Sequence, residues 1–153
     1  MIVYRICKAR YTNTVFSGAG GLEASGRWHQ RGRPVIYTSG TLSLAALEYL
    51  VHLGRRDAKI ALVSAQATVP EDLIAEPVGP ASLPRNWQAS PPGKETMAVG
   101  TTWLVEGRSA ILRVPSALIA GEFNYLLNSQ HPDFKRIRMS APVPFSFDAR
   151  LLK

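Results

Sequence analysis

Cysteine is nearly absent: Cys7 is the only one in 153 residues. An internal disulfide is therefore excluded, and a disulfide-stapled exported domain is not expected. The start, Met1-Ile-Val-Tyr-Arg5, carries no charged leader followed by an apolar core of signal length, so the expected compartment is the cytoplasm. No uncharged apolar run approaches the roughly 20 residues that span a bilayer, because Glu48 and His52 interrupt the best stretch, and no membrane partner is expected. The three histidines, His29, His52 and His131, lack cysteine or carboxylate neighbours at zinc-ligand spacing, so no metal is expected. Phosphate-binding loops are missing as well. In Gly18-Ala-Gly-Gly21 the third glycine of a G-x-G-x-x-G fingerprint would fall on Glu23, and there is no G-x-x-x-x-G-K-[ST].

Acidic residues are scarce relative to basic ones, 11 against 18, for a net charge of +7 and a pI near 10.0. This excess calls for an anionic partner: nucleic acid, a phosphorylated small molecule or an acidic protein. Arg27, Arg31 and Arg33 crowd one glycine-bearing loop, while Lys135, Arg136 and Arg138 cluster near the C-terminus. The second cluster has no stacking aromatics at useful spacing and reads as a solvated strand edge.

The length suits one domain over residues 1–153, enough to bury about two-thirds of the unfolded surface. Residues 2–7 alternate as a half-buried strand, with Ile2, Tyr4 and Ile6 facing the core and Arg5 facing away. Five glycines between residues 17 and 34 mark an irregular loop. A strand is predicted over 34–39, then a helix from an N-cap at Thr41 to a stop at Gly54. A long strand over 59–69 ends at Pro70. A proline-rich segment, 77–92, follows, with a helical turn near Trp87. A weaker helix over 94–106 contains Gly100, and a strand over 109–114 stops at Pro115-Ser116. Residues 121–134 read as turn-rich, and 137–139 with 143–147 as a closing strand pair. This order implies an α+β fold, a twisted, mostly antiparallel or mixed sheet around a central helix.

Glu48 is the most informative residue. A carboxylate in a mostly apolar helix costs several kcal/mol unless something pairs with it or binds it. At about 100° per residue Glu48 and His52 share one notch between Leu44 and Val51 on one side and Ala45 and Tyr49 on the other, a pattern that a solvated stripe would also give. Arg27, beside Trp28, offers a planar fork suited to phosphate oxygens, or a surface arginine stacked on the indole. Tyr37 on its strand is a ligand platform or ordinary packing. Ser116 after Pro115 fits a turn cap, and Cys7 a buried structural thiol.

Taken in order, Gly26-Arg-Trp-His29, Pro34-Val-Ile-Tyr-Thr-Ser39, Ala45-Ala-Leu-Glu-Tyr-Leu-Val-His-Leu53, Leu112-Arg-Val-Pro-Ser116, Asn124-Tyr-Leu-Leu-Asn128 and His131-Pro-Asp-Phe134 resemble the RES-domain toxins of bacterial toxin-antitoxin modules. The resemblance extends from Tyr4-Arg5 to Phe147-Asp-Ala-Arg150, with Ser129 departing from a frequent proline. It implies a compact ADP-ribosyltransferase-like fold, a single RES domain, and cleavage of the nicotinamide–ribose bond of NAD, which enters as substrate with no cofactor required. Water, phosphate or a protein side chain would accept the ADP-ribose. By the same resemblance Arg27, Tyr37 and Glu48 match the catalytic set, and Arg5, Ser116 and Asn124 are expected to bind NAD. An Xre-type helix-turn-helix antitoxin is the implied partner. The competing reading, from charge alone, is a basic RNA-binding or RNA-cleaving toxin. It lacks a histidine pair placed for phosphodiester transfer and an aromatic stacking platform, so direct nucleic-acid binding is not expected. A noncatalytic partner of a DNA-binding protein is a third possibility.

Overall fold

The computed structural model describes residues 1–53, 60–75 and 78–152. Among these, eight strands form one sheet: β1 (Ile2–Lys8), β2 (Ile36–Ser39), β3 (Leu62–Thr68), β4 (Ile74–Ala75), β5 (Ile111–Pro115), β6 (Phe123–Leu127), β7 (Arg138–Met139) and β8 (Val143–Phe145). Three helices accompany them, α1 (Gly20–Glu23), α2 (Leu42–Leu50) and α3 (Lys94–Glu106). The strand order is β4-β5-β6-β2-β1-β3-β7, with β8 also paired to β3. Only β4 and β5 run parallel. The α+β expectation, a mixed sheet with a helix packed on its centre, is met, since α2 packs on β1 and β2. No helix among the described residues is long and apolar enough to cross a membrane.

One face of the sheet is closed by the connecting segments and the other only where helices lie on it, so β3 alternates buried Ala65 and Ala67 with exposed Gln66 and Thr68. On one face Val3, Cys7, Ile36, Ala65, Ala67 and Leu127 join a cluster closed by Val15, Phe16, Leu73 and Ile137 from the connecting segments. The other face is covered in two places. Helix α2, capped where Thr41 Oγ1 accepts the Leu44 N–H at 3.0 Å, lays Leu44 and Ala45 inward. Ala45 packs with Ile6 and Leu62. Farther along, Trp28, Trp103, Leu112, Val114 and Leu126 form the cluster between α3 and the sheet. Strands β2 and β6 run between these two patches.

Gly100, which lowers the helix propensity of α3, has a packing reason. A Cβ there would overlap the carbonyl of Trp28, so glycine lets the helix press directly on the segment that carries Arg27 and Trp28.

Several expectations are corrected. Val3 is fully buried and Ile2 is 41% exposed. Arg5 shares the Val3 and Cys7 face and points inward, because β1 is covered on both sides and the apolar alternation does not reveal which face is the drier. Residues 121–134 are not merely turns. They contain β6, a central strand paired with both β2 and β5, whose Asn124 is buried because it is hydrogen bonded. Strands β7 and β8 do not pair with each other; each adds to β3. Helix α2 ends at Leu50, and the expected stop at Gly54 lies outside the described residues, as do Lys59 and Pro77. The turn near Trp87 is present, with its N–H bonded to Pro84 O at 3.0 Å.

Gly100→Ala is expected to lose about 2 kcal/mol or more, because the methyl group must displace backbone. A thermal melt should fall by about 5 °C or more, despite the gain in helix propensity.

Candidate active site

Glu48, Ser116, Asn124 and Tyr37 converge on the sheet face between α2 and α3. Glu48 lies one turn beyond Leu44 and Ala45, on the flank of the buried stripe, and reaches back over β6. Its Oε1 accepts two hydrogen bonds, from Asn124 Nδ2 at 2.6 Å and from Ser116 Oγ at 3.0 Å. Ser116 follows β5 and Asn124 is the second residue of β6, so the short β5–β6 connection brings both donors together. Ser116 Oγ also accepts the N–H groups of Leu118 and Ile119, at 3.1 and 3.2 Å. It is therefore a turn cap and a Glu48 partner at once. Accepting two N–H bonds polarises the hydroxyl and strengthens it as a donor. Asn124 Oδ1 in turn accepts from Ser39 Oγ at 2.7 Å. His52 is exposed and outside this network.

Tyr37 lies two residues before Ser39 on the same face of β2. Its hydroxyl accepts the Trp28 N–H at 3.1 Å and lies 2.8 Å from His29 Nδ1. The Gly26 N–H also donates to that nitrogen, at 3.2 Å, so Nδ1 is an acceptor and the phenol proton points toward it. Gly26 is required here: a Cβ would stand 2.5 Å from the Tyr37 hydroxyl. Burial raises the Tyr37 pKa, opposed by the Trp28 N–H and the nearby Arg27 charge. The phenol stays protonated and fully bonded, which leaves its ring as the part able to meet a ligand.

The two arginines are held by carbonyls. Arg27 Nη1 donates to Trp87 O at 2.7 Å and Ala89 O at 2.8 Å, which ties its loop to the proline-rich segment. Trp28 stacks on Trp87 with centroids 5.8 Å apart, so the indole faces another indole and is buried, not capped by Arg27. Strands β1 and β2 share a single registered pair, Tyr4 with Ser39. Where that ladder stops, Arg5 Nη1 donates to Tyr37 O at 2.9 Å. Burial lowers the Arg5 pKa, and its Nε is buried without a partner. Arg5 also lines a pocket of about 270 Å³ with Cys7, Tyr11, Gly18 and Glu23, on the sheet face opposite Glu48. The Arg5 bond to Tyr37 O joins this wall to the strand that carries Tyr37. Cys7 in that wall is a free, buried thiol whose pKa burial raises.

Glu48, Ser116 and Asn124 are brought into direct contact, Tyr37 lies on the same sheet face, Arg5 binds the Tyr37 backbone, and Arg27 stands near the Tyr37 phenol. Ser39 and His29 were missed by sequence reasoning. Ser39 follows Thr38 at the end of its strand and His29 lies in a loop beside Gln30, so neither stands out against its neighbours. In the C-terminal basic cluster Arg136 is paired with Asp72 at 2.8 Å.

A family model described as the RES domain matches residues 2–148. The chain is 36% identical to a protein named Toxin Res from Photorhabdus laumondii, over 100% of this chain and 98% of that one. It is 37% identical to a Toxin Res from Yersinia enterocolitica, over 99% of each. A Prs ADP-ribosylating toxin from Sphingobium is 33% identical over 90% of this chain and 86% of its own. Among solved structures, the toxin-antitoxin complex MbcT-MbcA of M. tuberculosis contains a chain that superposes with a TM-score of 0.77 at 16% identity, covering 95% of this chain and 84% of that one. The chain belongs to the RES-domain family.

Burial lowers the His29 pKa, with the backbone at Ala24 and Gly21 acting in the opposite sense. The folded value therefore lies below the unfolded one of about 6.5. The stability contributed by neutral His29 is fully present above that unfolded value and is lost as pH falls through the folded one. Protonation would also set a new N–H against the Gly26 and Tyr37 donors. Melting temperatures between pH 7.5 and 5 should fall more steeply for the wild-type chain than for His29→Asn, which keeps an acceptor but does not titrate.

Proposed function

We propose that this chain is a toxin that cleaves the nicotinamide–ribose bond of NAD and transfers ADP-ribose to water, phosphate or a protein side chain. The observation that carries the reading is the Glu48 carboxylate, held through Oε1 by Ser116 and Asn124. Among the described residues no hydrogen bond is made to its Oε2, which is left to face a ligand. The names of the relatives support the same reading, one of them an ADP-ribosylating toxin.

Expelling neutral nicotinamide from a cationic ring needs no general acid, unlike ordinary glycoside hydrolysis. One fixed carboxylate suffices: Glu48 accepts from the ribose hydroxyls and stabilises the oxocarbenium-like transition state. The Tyr37 ring packs against the nicotinamide or its ribose. Arg27 engages the phosphates with the donors its carbonyl bonds leave over, and Arg5, which stands where the β1–β2 ladder ends, reaches them through that gap. Ser116 and Asn124, the other expected NAD contacts, act at this site by holding Glu48. NAD is substrate, and no further cofactor enters.

Incubating purified protein with NAD and separating the products distinguishes free ADP-ribose, its phosphorylated form and labelled protein. Glu48→Gln should keep the fold and lose about 100-fold or more of the turnover. Unchanged turnover in that variant would return Glu48 to a structural role. Arg27→Lys should be nearly as damaging as Arg27→Ala, because an ammonium cannot bridge Trp87 O and Ala89 O while also forking onto phosphate. Full activity in the lysine variant would leave simple charge attraction as the explanation.

The partner proposed is an Xre-type helix-turn-helix antitoxin, in keeping with the toxin-antitoxin complex that the chain resembles in fold. Its blocking segment competes with NAD for Arg27 and Arg5 by presenting a carboxylate or a chain terminus. Co-expression with the adjacent gene product should rescue growth, and charge reversal at Arg27 should weaken the complex. NAD loss at an unchanged rate inside the complex would contradict steric blocking.

A further inference from the structure

We propose that Ser39 is a positioning residue for Glu48, acting through the carboxamide of Asn124. Ser39 closes β2 directly opposite Asn124 in the ladder, and the two are only 4% and 8% exposed. The amide has a donor end and an acceptor end of nearly equal shape. In the observed orientation Nδ2 meets Glu48 Oε1 at 2.6 Å and Oδ1 meets Ser39 Oγ at 2.7 Å. Flipping the amide would set two acceptors against each other at the carboxylate. The Ser39 hydroxyl therefore gives its single proton to Oδ1. That bond satisfies a buried carbonyl oxygen, fixes the amide plane, and polarises the carboxamide so that its N–H donates more strongly to Glu48.

The effect is a three-member relay, Ser39 to Asn124 to Glu48, that starts on the strand carrying Tyr37 and ends on α2. It couples the strand and the helix at the site itself. Thr38, one residue earlier, illustrates the contrast: its hydroxyl donates to Tyr125 O at 2.7 Å on the other face of the sheet, where it serves the core alone. Removing the Ser39 hydroxyl leaves Oδ1 buried without a donor and frees the amide to rotate, so Glu48 loses the shorter of its two anchors.

This inference rests on the proposed role of Glu48 in NAD cleavage. The test is a cycle of Ser39→Ala, Asn124→Ala and the double variant, with Ser39→Thr as the conservative replacement and thermal melts confirming folding. Ser39→Ala should lower kcat by about 10-fold to 100-fold while KM moves by less than about 2-fold, and Ser39→Thr should recover most of the loss. In the Asn124→Ala background the Ser39→Ala change should add nothing, since the group it acts through is gone. Wild-type kcat in Ser39→Ala, or an equal loss in both backgrounds, would overturn the relay. Should the wild-type protein consume no NAD, the functional reading fails and the relay is judged by NMR. The Asn124 side-chain amide protons should exchange with solvent at least about 10-fold faster in Ser39→Ala than in wild type, and equal exchange would overturn it.

Discussion

A carboxylate on an apolar helix must be given donors or must face something that supplies them, and this fold does both at Glu48. The cost of withdrawing the charge from water is several kcal/mol if it stays unpaired. The chain meets it with one hydroxyl and one carboxamide, from Ser116 and Asn124, both converging on Oε1. Much else follows from that demand. The β5–β6 connection must be tight enough to present both residues, the first strand after it must be central, and α2 must lie at the height where Glu48 overhangs β6.

The second constraint is the close approach of the Gly26–His29 segment to the sheet. The Gly26 and Trp28 N–H groups and the His29 imidazole all point at the Tyr37 hydroxyl or its partner. Gly100 lets α3 press on the backbone of Trp28 from behind. Tyr37 is consequently one of the most firmly held side chains at the site: its phenol is bonded on both sides and its carbonyl takes Arg5. A ring so fixed offers a rigid surface to a ligand at little further entropic cost.

Much of this was legible in the sequence. Helix α3 matches the expected 94–106 at both ends, Thr41 caps α2 as its chemistry suggests, and Glu48 stood out against its apolar neighbours. What misled was polarity read without context. Asn124 and the residues around it resembled turn chemistry, but an asparagine that accepts from a serine and donates to a carboxylate sits comfortably in a central strand. Arg5 looked solvent-facing because charge favours exposure. Its inward path depends on the place where β1 and β2 stop pairing, a non-local feature that alternation along one strand does not encode. The same holds for Ser39 and His29, whose roles exist only through partners about 85 and 8 residues away in the chain.

Membership of the RES-domain family and the arrangement around Glu48 support one account, in which the oxygen of Glu48 not held by Ser116 and Asn124 faces the nicotinamide ribose. The most direct measurement is a crystal structure of Glu48→Gln soaked with NAD. The account predicts the nicotinamide ribose hydroxyls within hydrogen-bond reach of residue 48, the ring of Tyr37 against the nicotinamide end and the phosphates beside Arg27 and Arg5. A dinucleotide bound away from residue 48, or no binding at all by a folded protein, would contradict it.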